Sequence, residues 1–267
     1  MQLPIFQVDA FTSRLFRGNP AAVCPLEHWL PDETLQAIAA ENNLSETAFF
    51  VGRDGRYHLR WFTPAVEVDL CGHATLASAF VVFEHLSPDL QVVRFDTRSG
   101  PLSVERRDGR LRMDFPSRPA APCEAPSELL TGLGLQPTAV LRSRDYLVVY
   151  ESEEQVCAIR PDFAALEKLP ALGVIATAAG RSSDFVSRFF APAAGIPEDP
   201  VTGSAHCTLT PYWAERLGRQ SLHALQVSRR GGELWCELAA DRVLIAGNAV
   251  EYLRGTIRVD ELPERRG

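Results

Sequence analysis

Arg60-Trp61-Phe62-Thr63-Pro64-Ala65, followed by Cys71-Gly72-His73-Ala74, has a second copy further along the chain. The copy reads Arg188-Phe189-Phe190-Ala191-Pro192-Ala193, followed by Thr202-Gly203-Ser204-Ala205. Each is an apolar, strand-like run, a Pro-containing loop, and a Gly that opens an apolar helical stretch. The prolines stand 192 − 64 = 128 residues apart and the glycines 203 − 72 = 131, close to half of the 267-residue chain. The match continues: Arg98, Gly100, Leu102 and Glu105 recur as Arg230, Gly232, Leu234 and Glu237, all at an offset of 132. Two segments in one order at nearly one offset predict a duplicated fold. Its two Gly-led helix starts would line one cleft with anion-binding backbone.

The length suits two units of about 130 residues. Hydrophobic content of 46% with 23% charged residues is ordinary for a folded globular chain. No apolar run reaches the roughly 18–20 residues that span a bilayer. The start, Met1-Gln2-Leu3-Pro4, has no basic region before an apolar one, so the cytoplasm is the expected location and no membrane is expected. A net charge of −7 argues against a nucleic-acid surface. The six cysteines form no CxxC pair and no zinc pattern, and no His-rich cluster points to a metal. Lys168 is the single lysine and reads as an exposed helix end, which disfavours Schiff-base chemistry. Nucleotide-binding glycine fingerprints are absent. No cofactor or metal is therefore expected, and side chains carry the chemistry.

Along the chain, residues 3–9 read as a strand, Gly18-Asn19-Pro20 as a turn and 21–24 as extended. A helix starts at Pro31-Asp32-Glu33, with acids against its positive end, and stops at Asn42-Asn43. Strands follow at 47–51 and 57–62. The stretch from Gly72 to His85 is apolar almost all round, the pattern of a helix buried on every side. Strands are expected at 91–96, 101–106 and 110–115, and Pro116 to Pro126 reads as a linker. The second half repeats the scheme: strands at 138–142, 145–150, 172–177 and 184–190, a short helix over 161–168, and a buried helix from Gly203 to Leu217 stopped by Gly218. Strands at 223–228, 233–238, 242–246 and 249–258 complete it. This order does not suit a doubly wound parallel sheet.

The first four amides of a helix have no internal partner. Gly72-His73 and Gly203-Ser204 can each hold a carboxylate or a developing enolate oxygen, with the Ser204 hydroxyl as an added donor. The plainer reading is a tight turn into a buried helix. Glu46, after Ser45, sits where a polar loop enters an apolar strand and suits general acid or base work; the plainer reading is an exposed strand-end glutamate. Asp199 stands four residues before Gly203, or is simply a turn aspartate before Pro200. His73 either meets a substrate oxygen or caps its own helix. Cys71 precedes the first Gly, where a helix N-terminus lowers a thiol's pKa. Thr202 holds the duplicate position, so no symmetric two-thiol site exists.

At these residues the chain resembles the phenazine biosynthesis PhzF-like family, of the diaminopimelate epimerase fold. The resemblance rests on Gln7-Val8-Asp9-Ala10-Phe11, Gly18-Asn19-Pro20-Ala21-Ala22-Val23, Asn43-Leu44-Ser45-Glu46-Thr47-Ala48-Phe49, Arg60-Trp61-Phe62-Thr63-Pro64, Asp69-Leu70-Cys71-Gly72-His73-Ala74-Thr75, and Glu198-Asp199-Pro200-Val201-Thr202-Gly203-Ser204-Ala205. It implies an α+β fold of two pseudo-symmetric halves, 1–117 and 118–267. Each half is a curved, mostly antiparallel sheet or barrel around a central helix, and the last strand is free to pack on the first half. It also implies an active site between the halves, a homodimer and no cofactor. Glu46 takes the place of the family's acid/base glutamate, Gly72-His73 of its Gly-His pair, Asp199 of its aspartate, and Gly203-Ser204 of the second helix start. Related epimerases place a cysteine before both glycines; this chain keeps only Cys71. The resulting expectation is a cofactor-independent isomerase. It would move a proton at carbon on a small carboxylate-bearing metabolite, with Glu46, Asp199 and His73 catalytic and Ser45, Gly72, Gly203 and Ser204 holding substrate. The alternatives are an epimerase or racemase using Cys71, and a ligand-binding member without catalysis.

Overall fold

Parallel strands cannot be joined by a tight turn; they need a crossover, usually a helix. That rule accounts for the position of both buried helices. The structure, a computed structural model, describes residues 1–260. These divide into two compact units: Met1–Phe16, Pro20–Met113 and the residues from Asn248 onward in one, Arg17–Asn19 and Asp114–Gly247 in the other.

In the first unit, Asn19–Leu26 runs parallel to Glu46–Arg53, joined by the helix Asp32–Asn42. Glu46–Arg53 turns back antiparallel onto Arg56–Phe62. Arg56–Phe62 carries a short return strand, Glu67–Val68, and also pairs parallel with Val92–Thr97. The helix Gly72–Val81 makes that second crossover and ends in a single π-helical turn, Val82–Leu86. Two antiparallel steps follow, through Gly100–Arg107 to Arg110–Pro116. Gln2–Ala10 pairs antiparallel with Ala249–Arg258, which brings the last strand into this unit.

The second unit repeats the sequence of pairings. Tyr146–Val149 runs parallel to Val174–Ala179, which turns antiparallel onto Phe185–Ala191. Phe185–Ala191 carries the short return strand Ile196–Asp199 and pairs parallel with Ser221–Gln226 across the helix Gly203–Leu217. Two antiparallel steps then run through Gly232–Ala239 to Arg242–Gly247. The repeat seen in the sequence is thus a repeat of topology, strand for strand.

Both crossover helices are buried, as their apolar composition requires. Eight of the ten residues of Gly72–Val81 are buried. The buried hydroxyls among them are satisfied by the preceding turn: Thr75 donates to the Cys71 carbonyl at 2.5 Å and Ser78 to the Ala74 carbonyl at 2.7 Å. In the second helix the Trp213 indole donates to the Thr177 hydroxyl at 3.0 Å.

Several elements differ from the sequence reading. The helix expected over 161–168 is a single turn, Phe163–Leu166, capped by the Asp162 carboxylate. Helices Ser127–Leu133 and Glu153–Ala158 were not anticipated. The expected linker holds a two-residue strand, Ala121–Pro122, paired with Leu141 and Arg142. The Gly18-Asn19-Pro20 turn gives way to a strand that already begins at Asn19. No described helix is long and apolar enough to cross a membrane.

Candidate active site

Each Gly-led helix is reached the same way. After the strand Arg56–Phe62, the short return strand is clasped by Arg60, whose guanidinium meets both Glu67 oxygens at 2.7 and 2.8 Å. Arg188 clasps Glu198 in the second unit at 2.7 and 2.9 Å. A planar guanidinium fits a carboxylate with two parallel bonds, and that fixes the loop that enters the helix. Cys71 and Thr202 are the N-cap residues, and neither side chain caps its own helix.

In the first unit three buried groups meet. Glu46 begins its strand opposite Ala21 and is 8% exposed; Cys71 and His73 are 6% and 5% exposed. His73 Nε2 stands 3.0 Å from Glu46 Oε2. Cys71 Sγ lies 3.5 Å from His73 Nδ1 and 4.0 Å from Nε2. One donor atom from each of the three residues falls within 4.8 Å of the others. Gly72 and Ser45 border the group and are half-buried. The plainer reading of Glu46 as an exposed strand end therefore does not hold.

Burial pulls the His73 pKa down, but the Cys71 sulfur and the Glu46 carboxylate outweigh it, and His73 titrates well above its ordinary value. The expected lowering of the Cys71 pKa by the helix end is overturned. Burial, and then the Glu46 charge, push the thiol up to about 11, past what His73 and the helix backbone recover. At neutral pH the thiol keeps its proton. The trio sets a carboxyl group and a protonated thiol against one imidazole ring.

In the second unit Asp199 is held, not loose. Its Oδ2 accepts from the Thr202 hydroxyl at 2.5 Å and its Oδ1 from the Asn19 amide at 2.7 Å. The buried Gln226 side chain ties the same turn together. It accepts from the Thr202 N–H at 2.8 Å and donates to the Asp199 carbonyl at 2.8 Å and the Thr202 hydroxyl at 3.1 Å. Ser204 accepts from Arg144 at 3.2 Å. Sequence reasoning missed Asn19 and Gln226. Gln226 carried a signal, a polar residue closing an alternating apolar strand. Asn19 was hidden by its reading as a turn. His206, one turn into the helix, was also missed. Its Nδ1–H donates to the Thr202 carbonyl at 2.9 Å, its Nε2 has no hydrogen-bond partner among the described residues, and burial pulls its pKa down to about 4.

With this geometry in view, the chain can be set beside known proteins. The family model described as phenazine biosynthesis-like protein matches residues 8–255. An uncharacterized isomerase of Pseudomonas aeruginosa is 57% identical over 97% of this chain and 100% of its own length. A human phenazine biosynthesis-like domain-containing protein is 42% identical over 96% and 99%. The crystal structure of a phenazine biosynthesis protein of the PhzF family from Enterococcus faecalis superposes with a TM-score of 0.94 at 48% identity, over 97% of this chain and 100% of that one. The chain belongs to the phenazine biosynthesis-like family.

Proposed function

We propose that this phenazine biosynthesis-like protein is an isomerase that moves a proton at carbon on a small carboxylate-bearing metabolite, with Glu46 as general acid and base and no cofactor. The observation that carries the reading is the buried Glu46–His73 contact, with 3.0 Å between carboxylate and imidazole. A carboxylate kept out of water beside a proton-bearing ring can take a proton from carbon and return it. The half-buried Ser45 and Gly72 beside it offer donors to a substrate oxygen. The Pseudomonas relative's name, an uncharacterized isomerase, supports the same class.

In this reading Glu46 removes the proton and delivers it to another carbon on the same face. The His73 imidazolium stabilises the oxyanion that appears. Asp199, Gly203 and Ser204 form a second set of substrate contacts, and the working protein is a cytoplasmic homodimer. A positioned general base contributes about 10²–10⁴-fold in rate and an oxyanion donor about 10²–10³-fold. Such terms are sufficient only for an already acidified C–H, so the substrate is an α-carbonyl or conjugated acid.

The contact between Cys71 Sγ and the His73 ring favours one second reading, an epimerase in which the thiol serves the opposite face. Incubation with a panel of small acids in deuterated water, followed by NMR and mass spectrometry, distinguishes the two. A one-base shift keeps part of the substrate's hydrogen in the product, whereas a two-base inversion imports deuterium. Glu46→Gln must abolish turnover while the ligand still binds. Wild-type protein that turns over and exchanges nothing across the panel removes the catalytic proposal and leaves a binding protein.

A further inference from the structure

We propose that Cys71, His73 and Glu46 form a site for a thiophilic divalent cation such as Zn²⁺. The donor set is sulfur, nitrogen and oxygen, the set zinc takes from proteins at about 2.3, 2.0–2.1 and 2.0–2.2 Å. A tetrahedral ion with those bonds sets its ligand atoms about 3–4 Å apart. Here Nε2 and Oε2 are 3.0 Å apart, Sγ and Nε2 4.0 Å, and no pair exceeds 4.8 Å. Closing on the ion needs movements of about 1 Å or less in side chains whose backbones are already placed.

Charge favours the same occupant. Binding displaces the Cys71 thiol proton, and any proton on the His73 ring nitrogen that takes the metal, to solvent; the resulting thiolate and carboxylate carry two negative charges and the neutral imidazole none, so a divalent ion leaves no net charge in a buried place. Isolated buried charges are costly and neutral assemblies far less so. Three protein ligands leave a fourth coordination position for water, and Ser45 and Gly72, next in the chain to Glu46 and Cys71, are half-buried. Sequence spacing hides the site, because Cys71 and His73 are two residues apart while Glu46 arrives from a different strand.

The inference rests on donor geometry and not on the isomerase reading, so its test needs no substrate. Co²⁺, a spectroscopic stand-in for Zn²⁺, is titrated into the reduced full-length chain carrying Cys123→Ser and Cys157→Ser, which removes the thiols that are not buried. Expected are a sulfur-to-cobalt charge-transfer band saturating at one equivalent, its displacement by Zn²⁺, and its loss in Cys71→Ser. Glu46→Gln keeps the sulfur and must weaken binding by at least about tenfold, since even outer-sphere partners of a metal cost 10–100-fold. Absence of the band, its persistence in Cys71→Ser, or unchanged affinity in Glu46→Gln overturns the proposal. The Glu46 variant keeps the test decisive should Cys71→Ser fail to fold.

Discussion

Nε2 of His73 and Oε2 of Glu46 stand 3.0 Å apart, in side chains only 6% and 10% exposed. A buried ion pair adds little against an apolar replacement, but removing one partner strands the other's charge, at about 3–5 kcal/mol. His73→Ala is therefore expected to lose about 3–5 kcal/mol at pH 6. Glu46→Gln, which leaves a ring able to give up its proton, should lose less. The sign with pH follows from the raised His73 pKa. The folded state binds the proton more tightly, so the stabilisation is complete below the ordinary histidine value and fades as pH rises through the folded value. Urea midpoints at constant slope, at pH 6 and at pH 9, check this. A His73→Ala deficit that is small at pH 6, or that grows with pH, contradicts it.

His206 has the opposite sign. Its folded pKa falls from 6.5 to about 4 because the ring is buried. The hydrogen bond that its Nδ1–H donates to the Thr202 carbonyl does not offset that burial. Below pH 6.5 the unfolded chain binds a proton that the folded chain refuses. Each tenfold difference in proton affinity between the two states is worth about 1.4 kcal/mol, so stability drops by about 3 kcal/mol between pH 6.5 and 4. His206→Asn keeps a donor for Thr202 but does not titrate, so it should flatten this part of the curve. Parallel pH profiles for wild type and variant would show that His206 contributes nothing to acid sensitivity.

The duplicated stretches made the architecture legible, because Arg60 and Arg188 open identical strand–loop–helix units in one order. What the sequence could not carry was the meeting of Glu46 with His73. That contact depends on the parallel register that sets Glu46 against Ala21 at the mouth of the sheet, and such register is a tertiary property. Cys71 was misjudged for a related reason: the helix end acts locally, whereas burial, which raises the thiol, depends on the whole unit. The helix Glu153–Ala158 was readable. Ser152 caps it, accepting from the Gln155 N–H at 3.4 Å, and two glutamates fill its first turn. It was overlooked because six residues carry too little periodicity to stand out.

Arg188 does more than clasp Glu198. Its Nη1 also donates to the Val156 and Ile159 carbonyls at 3.2 and 2.9 Å, and its guanidinium lies over the Phe190 ring, 4.8 Å from the centroid. A lysine ammonium is a point charge without the planar fork. Arg188→Lys should leave buried acceptors short of donors and cost about 3 kcal/mol by chemical denaturation. A loss below about 1 kcal/mol would mean that the clasp does not hold the return strand.

Thiol chemistry should follow burial and not position on a helix. Cys71 is buried with its pKa pushed up to about 11, so at pH 8 roughly one molecule in 10³ carries the thiolate, the form that reacts. Cys24, Cys207 and Cys236 are likewise pushed by burial to about 12, 11 and 12. Cys157 is exposed. Its own rise, from partial burial and then the Glu153 charge, leaves it within reach of reagent. Iodoacetamide at pH 8, followed by peptide mass mapping, should label Cys157 at least about tenfold faster than Cys71. Cys157→Ser should remove that fast phase and leave Cys71 untouched until the fold opens. Rapid labelling of Cys71 in the native chain would mean that the helix end and His73 together outweigh burial after all. The sulfur would then be a thiolate at work beside Glu46, which is the chemistry the epimerase reading requires.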